Sequence, residues 1–327
     1  NKTGYTLIAV RYSASAYLLN ANGRIAHKWF LPFSAAWPKN PPHVQKPMPD
    51  SRIYFVRAHA FPNGDLLAIY TAWGDTPYGY GMVKMDKNSK ILWRYNANTH
   101  HDLYIDKHNG DIYTLTHGFT APPASLPNLP TRILNDQVVI LSQDGREQRR
   151  ISVAHAFADT PYQEYLYKQP ANFWPWDVFH TNSVAKLEPD MVAAFPQFAA
   201  GDILISMRNN NLLAVISHES GKVKWASAGV WNTQHSVSFM PNGNILLFDN
   251  NGYFAGDRKH SRILEFNPQT MQIGWTFTGS NRIPFYAYAY GRAQRLNNGN
   301  TLIVNPLGSN VFEVTPEKKV VWNFKLE

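Results

Sequence analysis

An all-β chain folded as a six-bladed β-propeller is what this sequence predicts, and three recurring signals predict it. Five segments carry a turn signal at comparable places: His59-Ala-Phe-Pro-Asn-Gly-Asp-Leu-Leu, His101 to Asn109-Gly-Asp-Ile-Tyr113, His180 to Gly201-Asp-Ile-Leu204, His235-Ser-Val-Ser-Phe-Met-Pro-Asn-Gly-Asn-Ile-Leu-Leu, and Gln294 to Asn298-Gly-Asn-Thr-Leu302. Asn-Gly between apolar runs marks a tight hairpin in which both turn residues accept positive φ. Short strands ending in tryptophan recur in step with these hairpins, at Trp29, Trp93, Trp225, Trp275 and Trp322. Between hairpin and Trp strand lies one more apolar run, such as Leu212-Leu-Ala-Val-Ile216 or Arg262-Ile-Leu-Glu-Phe266. The last two Trp-to-Trp gaps are each about fifty residues, a blade-sized period.

Each unit then reads as four strands. The first carries a histidine, the second follows the turn, the third is apolar and the fourth ends in Trp. One such unit leaves apolar faces uncovered, and packing blades around an axis covers them while leaving only short edges. Five units are complete in pattern, with Arg146 to Ile151 a degenerate fourth strand. Tyr5-Thr-Leu-Ile-Ala-Val, Ala16-Tyr-Leu-Leu and Ile25-Ala-His-Lys-Trp29 supply most of a sixth. Seven blades would need another strand set inside a loop. The expectation is one domain over residues 1–327. Residues 31–50, 121–130, 157–177 and 279–292 do not repeat, and are expected as loops shaping the mouth of a central channel. The third of these is rich in aromatics, with Tyr162, Tyr165, Tyr167, Phe173, Trp174 and Trp176.

Composition sets outer limits. Hydrophobic residues make up 44% and charged residues 17%, which excludes a disordered chain or a coiled coil. The net charge of +8 forms no basic run of the nucleic-acid-binding kind, so no nucleic-acid partner is expected. A basic surplus serves solubility, and it also attracts anionic small molecules or acidic glycans. The absence of cysteine removes thiolate catalysis, disulfides and Cys-ligated metals. No apolar run is long enough to span a bilayer. The first residue is Asn1, and a removed export signal or anchor, hence a periplasmic or secreted location, is the expectation.

If the units are equivalent, His59, His101, His180 and His235 all open strands at the axis. His100 reads as a surface residue, while it or Asp102 would orient His101. Strand alternation places Asn182 on the face of His180. Arg208 ends the strand that partners the one starting at His180, and a guanidinium beside imidazoles is a fork for a tetrahedral oxyanion. Tyr286, Tyr288 and Tyr290 alternate, so one strand face would present three phenols, with Arg292 following. Trp231 precedes Gln234-His235 and is a candidate wall for an acceptor, or a packing residue. No nucleophile elbow, phosphate loop or Rossmann glycine set is present, and carboxylates are scarce at the proposed axis.

Together these residues resemble the bacterial arylsulfotransferase family, the kind that works without a nucleotide sulfate donor. The likeness runs from Gly4-Tyr-Thr-Leu to the Trp322 strand and is most specific at His100-His-Asp102, His180-Thr-Asn182, Ile203-Leu-Ile-Ser-Met-Arg208 and Gln234-His235 followed by Pro241-Asn-Gly-Asn-Ile-Leu-Leu-Phe-Asp-Asn250. Met191 to Ala200 stands as an insertion between the second and third of these. The resemblance implies a six-bladed propeller in which His235 is transiently sulfated, while His101, His180, Asn182 and Arg208 hold the sulfuryl oxygens. It implies no metal and no nucleotide cofactor, an aryl sulfate donor and a phenol or alcohol acceptor. His59, Tyr288, Arg292 and Trp231 are the further substrate-binding candidates.

Three other readings fit the same residues. A polysaccharide lyase acting on an acidic glycan would use His and Tyr for acid–base work and Arg to neutralise the uronate. Imidazoles gathered on one axis could instead hold a metal. A propeller binding a protein at its rim would need no chemistry at all.

Overall fold

The structure, a computed structural model, describes residues 4–167, 174–252, 260–280 and 283–325. The chain divides into two compact units, Asn1–Thr120 with Leu134–Val153, and Ala121–Ile133 with Ala154–Glu327. Phe173 lies outside the described residues.

The first unit carries three sheets, each a meander in chain order. They are β1 (Tyr5–Ala9), β2 (Ser15–Asn20) and β3 (Ile25–Phe30); β4 (Ile53–Ala60), β5 (Leu66–Ala72), β6 (Gly79–Met85) and β7 (Ile91–Tyr95); and β8 (Thr99–Ile105), β9 (Ile112–Thr120), β10 (Ile133–Leu141) and β11 (Glu147–Ser152). The second unit carries three more: β12 (Thr181–Lys186), β13 (Ile203–Met207), β14 (Leu212–Ile216) and β15 (Val223–Ala228); β16 (His235–Phe239), β17 (Ile245–Asp249), β18 (Arg262–Phe266) and β19 (Ile273–Phe277); and β20 (Arg292–Arg295), β21 (Thr301–Asn305), β22 (Asn310–Val314) and β23 (Val320–Lys325). Consecutive strands pair antiparallel. The fold is a six-bladed β-propeller, with five four-stranded blades and a three-stranded first one among the described residues.

Burial explains the sequence pattern. Every residue of β5, β13, β14 and β17 is buried, because middle strands are covered on both faces and so read as continuous apolar runs. The last strand of each blade is half-exposed; β23 alternates strictly between partly buried and exposed residues. The repeated tryptophan has a further use. Trp29 Nε1 donates to Gly64 O (3.2 Å), Trp93 Nε1 to Gln143 O (3.2 Å) and Trp275 Nε1 to Pro316 O (2.8 Å). Each bond runs from the last strand of one blade to a hairpin turn of the next.

The Asn-Gly hairpins form where expected but with different turn chemistry. Gly64, Gly110, Gly243 and Gly299 have positive φ, whereas their asparagines do not. At Asn63, Asn109, Asn242 and Asn298 the side-chain oxygen instead accepts the backbone N–H two residues on, at 3.0–3.2 Å. For three of the hairpins this is a three-residue loop closed by a left-handed glycine, with bonds such as Phe61 N to Asp65 O and Gly64 N to Phe61 O. No helix among the described residues is long and apolar enough to cross a membrane.

Candidate active site

The inner strands are irregular where the candidate residues sit. In β16, His235 pairs with Phe248 and Ser238 with Leu246, so two residues face one. In β12, Thr181 pairs with Met207 and Ser183 with Ser206, leaving Asn182 as the extra residue. In β8, His101 and Asp102 fall between the paired His100 and Leu103. Bulges of this sort re-aim side chains that regular pleating would send elsewhere. His101, His180 and Ser236 also adopt left-handed φ, at 55°, 48° and 52°. Such conformations cost of order 1 kcal/mol or more in a side-chain-bearing residue and persist where surrounding structure enforces them.

In the second unit His235 is buried and its ring is oriented at Nδ1. Thr233 O lies 3.0 Å and Asn250 Oδ1 2.7 Å from that nitrogen. Asn250 cannot turn its amide over, because its Nδ2 donates to Ala287 O (2.7 Å) and Tyr290 O (2.6 Å). Its oxygen therefore faces the imidazole. Two acceptors at Nδ1 require the proton there, which leaves the lone pair on Nε2. Burial first, and then the positive charge of Arg208, push the His235 pKa down, to about 3 in all; the Asn250 bond opposes both. The ring is thus neutral, oriented and able to act through Nε2.

The residue before it fixes the backbone. Gln234 is fully buried, and its Nε2 donates to Ser206 Oγ, Met207 O and Leu212 O at 3.1–3.3 Å. Asn182 Nδ2 donates to Gln234 O (2.8 Å), and Ser183 Oγ accepts from Val237 N (3.0 Å). On the other side Ser236 Oγ bonds both Ala293 N and Ala293 O. His235 is therefore clamped between the blades on either side of its own.

His180 stands just ahead of β12 and donates from Nδ1 to Asp177 Oδ2 at 2.6 Å. Asp177 is in turn held by Asn209 Nδ2 on its carbonyl (2.5 Å). Arg208 follows β13, and its backbone N–H donates to His180 O (3.2 Å). Arg208 and His180 both lower the pKa of His235 through their charge, so the three form one electrostatic group. Asp177 and Asn250 complete it, and neither was given a role by sequence. Asn250 lies in the stretch that carries the family likeness, which was the available signal.

The other candidates lie as follows. Trp231 is buried at 4% exposure, donates to Asn211 O (2.9 Å) and lies tilted against the Phe266 ring with centroids 4.8 Å apart, so its indole serves packing. Tyr286 to Tyr290 do not form a strand, which corrects the three-phenol face. Carbonyls in this segment instead anchor Asn250, and Ser261 Oγ ties Ala287 N to Asn250 O. Tyr288 is half-buried in that segment and Arg292 opens β20.

In the first unit His101 is bulged out of β8. His59 does not open its strand; it is next to last in β4, paired with Leu67 and set edge-on to Phe61. At the β4 bulge Arg57 instead bonds Asp102 Oδ1 (2.9 Å). His100 is fully buried, a correction to its expected exposure. It lies with His117 and Asp136 in a group whose ligand-type atoms are within 4.8 Å of one another.

With this geometry in hand, the comparison with known proteins is direct: residues 57–327 match the arylsulfotransferase (ASST) family. The chain belongs to that family. No match is found among curated proteins. Among solved structures, this arylsulfotransferase-family chain is similar to a protein of unknown function from Bacteroides caccae, at 13% identity and TM-score 0.57 over 98% of this chain and 94% of that one. It is also similar to a streptogramin B lyase, at 13% identity and TM-score 0.52 over 99% and 80% of the two chains. A third likeness is to virginiamycin B lyase from Staphylococcus aureus, at 11% identity and TM-score 0.51 over 100% and 82%. At these identities the likenesses speak for the propeller fold.

Proposed function

We propose that the protein transfers a sulfuryl group from an aryl sulfate to a phenol or alcohol through a sulfohistidine on His235. The observation that carries this reading is the His235 ring itself, neutral and with its proton held at Nδ1 by Asn250. In the first half-reaction Nε2 attacks sulfur. The N–S bond forms as the S–O bond to the aryl group breaks, and the electron pair leaves on the aryl oxygen. The ring keeps its Nδ1 proton and becomes cationic against the sulfuryl anion. Asn250 Oδ1 and Thr233 O, both acceptors, stabilise that charge. The guanidinium of Arg208 serves the sulfuryl oxygens. In this reading His180, held by Asp177, protonates the departing aryl oxide. In the second half-reaction the acceptor oxygen attacks sulfur, its proton returns to His180, and the N–S bond breaks.

The test is incubation with 4-nitrophenyl sulfate and phenol, with rapid quenching and peptide mass spectrometry. Release of nitrophenol and one sulfuryl group on the peptide containing His235 are the expected results. His235→Asn should lose both. A His235→Asn protein that turns over at the original rate would overturn the assignment.

A further inference from the structure

The His100, His117 and Asp136 group in the first unit has the composition of a metal site, but its ring geometry points to a proton instead. The three side chains come from neighbouring strands β8, β9 and β10 and are buried. His100 Nε2 lies 3.6 Å and His117 Nδ1 3.9 Å from Asp136 Oδ1. The two rings stack, with centroids 4.2 Å apart and planes 24° from parallel. A metal binds imidazole nitrogen in the plane of the ring, and lone pairs lying in two nearly parallel planes do not converge on one cation. The backbone N–H of Gly79 also donates to His117 Nε2 (3.4 Å), which puts the proton of a neutral His117 on Nδ1, the nitrogen a metal would need.

The remaining contact gives the group its use. His100 Nδ1 is 2.8 Å from His101 Nδ1, a distance that requires one proton between them. We propose that Asp136 holds His100 as an imidazolium, and that His100 thereby sets the tautomer of His101. The carboxylate favours a second proton on His100. His100 then donates from Nδ1, His101 accepts at Nδ1, and the proton of His101 is confined to Nε2. His101 so becomes a fixed donor suited to an anionic oxygen. The titratable groups facing His100 are His101, His117, Asp136 and Tyr78, whose ring stands edge-on to all three histidines at 4.5–5.6 Å. Asp136 and His100 are positioning residues here.

The experiment reads the ring protons directly. Protein labelled with nitrogen-15 histidine is examined by long-range proton–nitrogen NMR at neutral pH, with His101 assigned by its loss in His101→Asn. The expected spectrum has His100 protonated on both nitrogens and His101 on Nε2 alone. Asp136→Asn should move the His101 proton to Nδ1, and Asp136→Glu, which keeps the carboxylate, should leave it on Nε2. His101 protonated on Nδ1 in the unaltered protein would overturn the proposal. So would an unchanged His101 tautomer in Asp136→Asn, or one equivalent of a divalent cation found on the group by elemental analysis. The unaltered protein alone decides the tautomer if Asp136→Asn does not fold. The expected tautomer without sulfuryl transfer would leave the proton arrangement standing and count against the proposed function.

Discussion

Asn250 Oδ1 stands 2.7 Å from His235 Nδ1 and decides which nitrogen of that ring can react. The amide is itself held by Ala287 O and Tyr290 O, so the orientation of the imidazole is passed in from a segment without regular secondary structure. Asn250→Ala removes the acceptor and lets the ring rotate and change tautomer. Steady-state assays should show kcat lowered about 100-fold, with the sulfuryl adduct on His235 forming correspondingly more slowly.

Of the two charged groups that lower the His235 pKa, Arg208 has the larger effect and His180 the smaller. Arg208→Met should therefore do two things at once. NMR titration should find the His235 pKa raised, because a repelling charge is gone. Turnover should fall about 100- to 1000-fold, the usual cost of losing one group that stabilises developing negative charge.

Acid should weaken the fold through His235. Its folded-state pKa is about 3, below the ordinary histidine value of 6.5, so between those values the unfolded chain binds a proton that the native state refuses. The native state is unaffected above pH 6.5 and loses ground as pH falls from there towards 3. At pH 5 the loss attributable to this ring is about 2 kcal/mol. Urea unfolding at pH 7.5 and pH 5 should show a steeper decline in the unaltered protein than in His235→Asn.

Gly291 has a φ of 105°, and a Cβ built on it would sit 2.5 Å from the Phe248 ring. Both the backbone and the contact exclude a side chain. Gly291→Ala should lower unfolding free energy by about 2–3 kcal/mol in urea titration. Because Gly291 follows Tyr290, which bonds Asn250, activity should fall further than stability alone explains.

The blade pattern was legible because it is written in local chemistry. Glycine at a left-handed turn position, apolar middle strands and the Trp of the last strand each follow from nearest neighbours, and the structure keeps all three. The bulges were not legible. Whether Asn182 is paired or extruded depends on the register that β13 offers, which no short window of sequence contains. The same blindness sent His59 to the wrong end of β4 and His100 to the surface. Alternation of Tyr286, Tyr288 and Tyr290 imitates a strand, but the segment spends its carbonyls on Asn250 and Ser261 rather than on a ladder. His180, Arg208 and His235 do come together, since each is tied to an inner strand or its end.

The half-exposed terminal strands bear on the surplus of basic residues. Lys28, Arg94, Arg149, Arg150, Lys224 and Lys325 lie on the last strands of five blades, and all but Arg149 are exposed. An unguarded strand margin invites a second molecule to add on, and long cationic side chains discourage such stacking by mutual repulsion. Six of the 31 lysines and arginines thus form a fringe against self-association, and replacing them would be felt first as turbidity in concentrated solution.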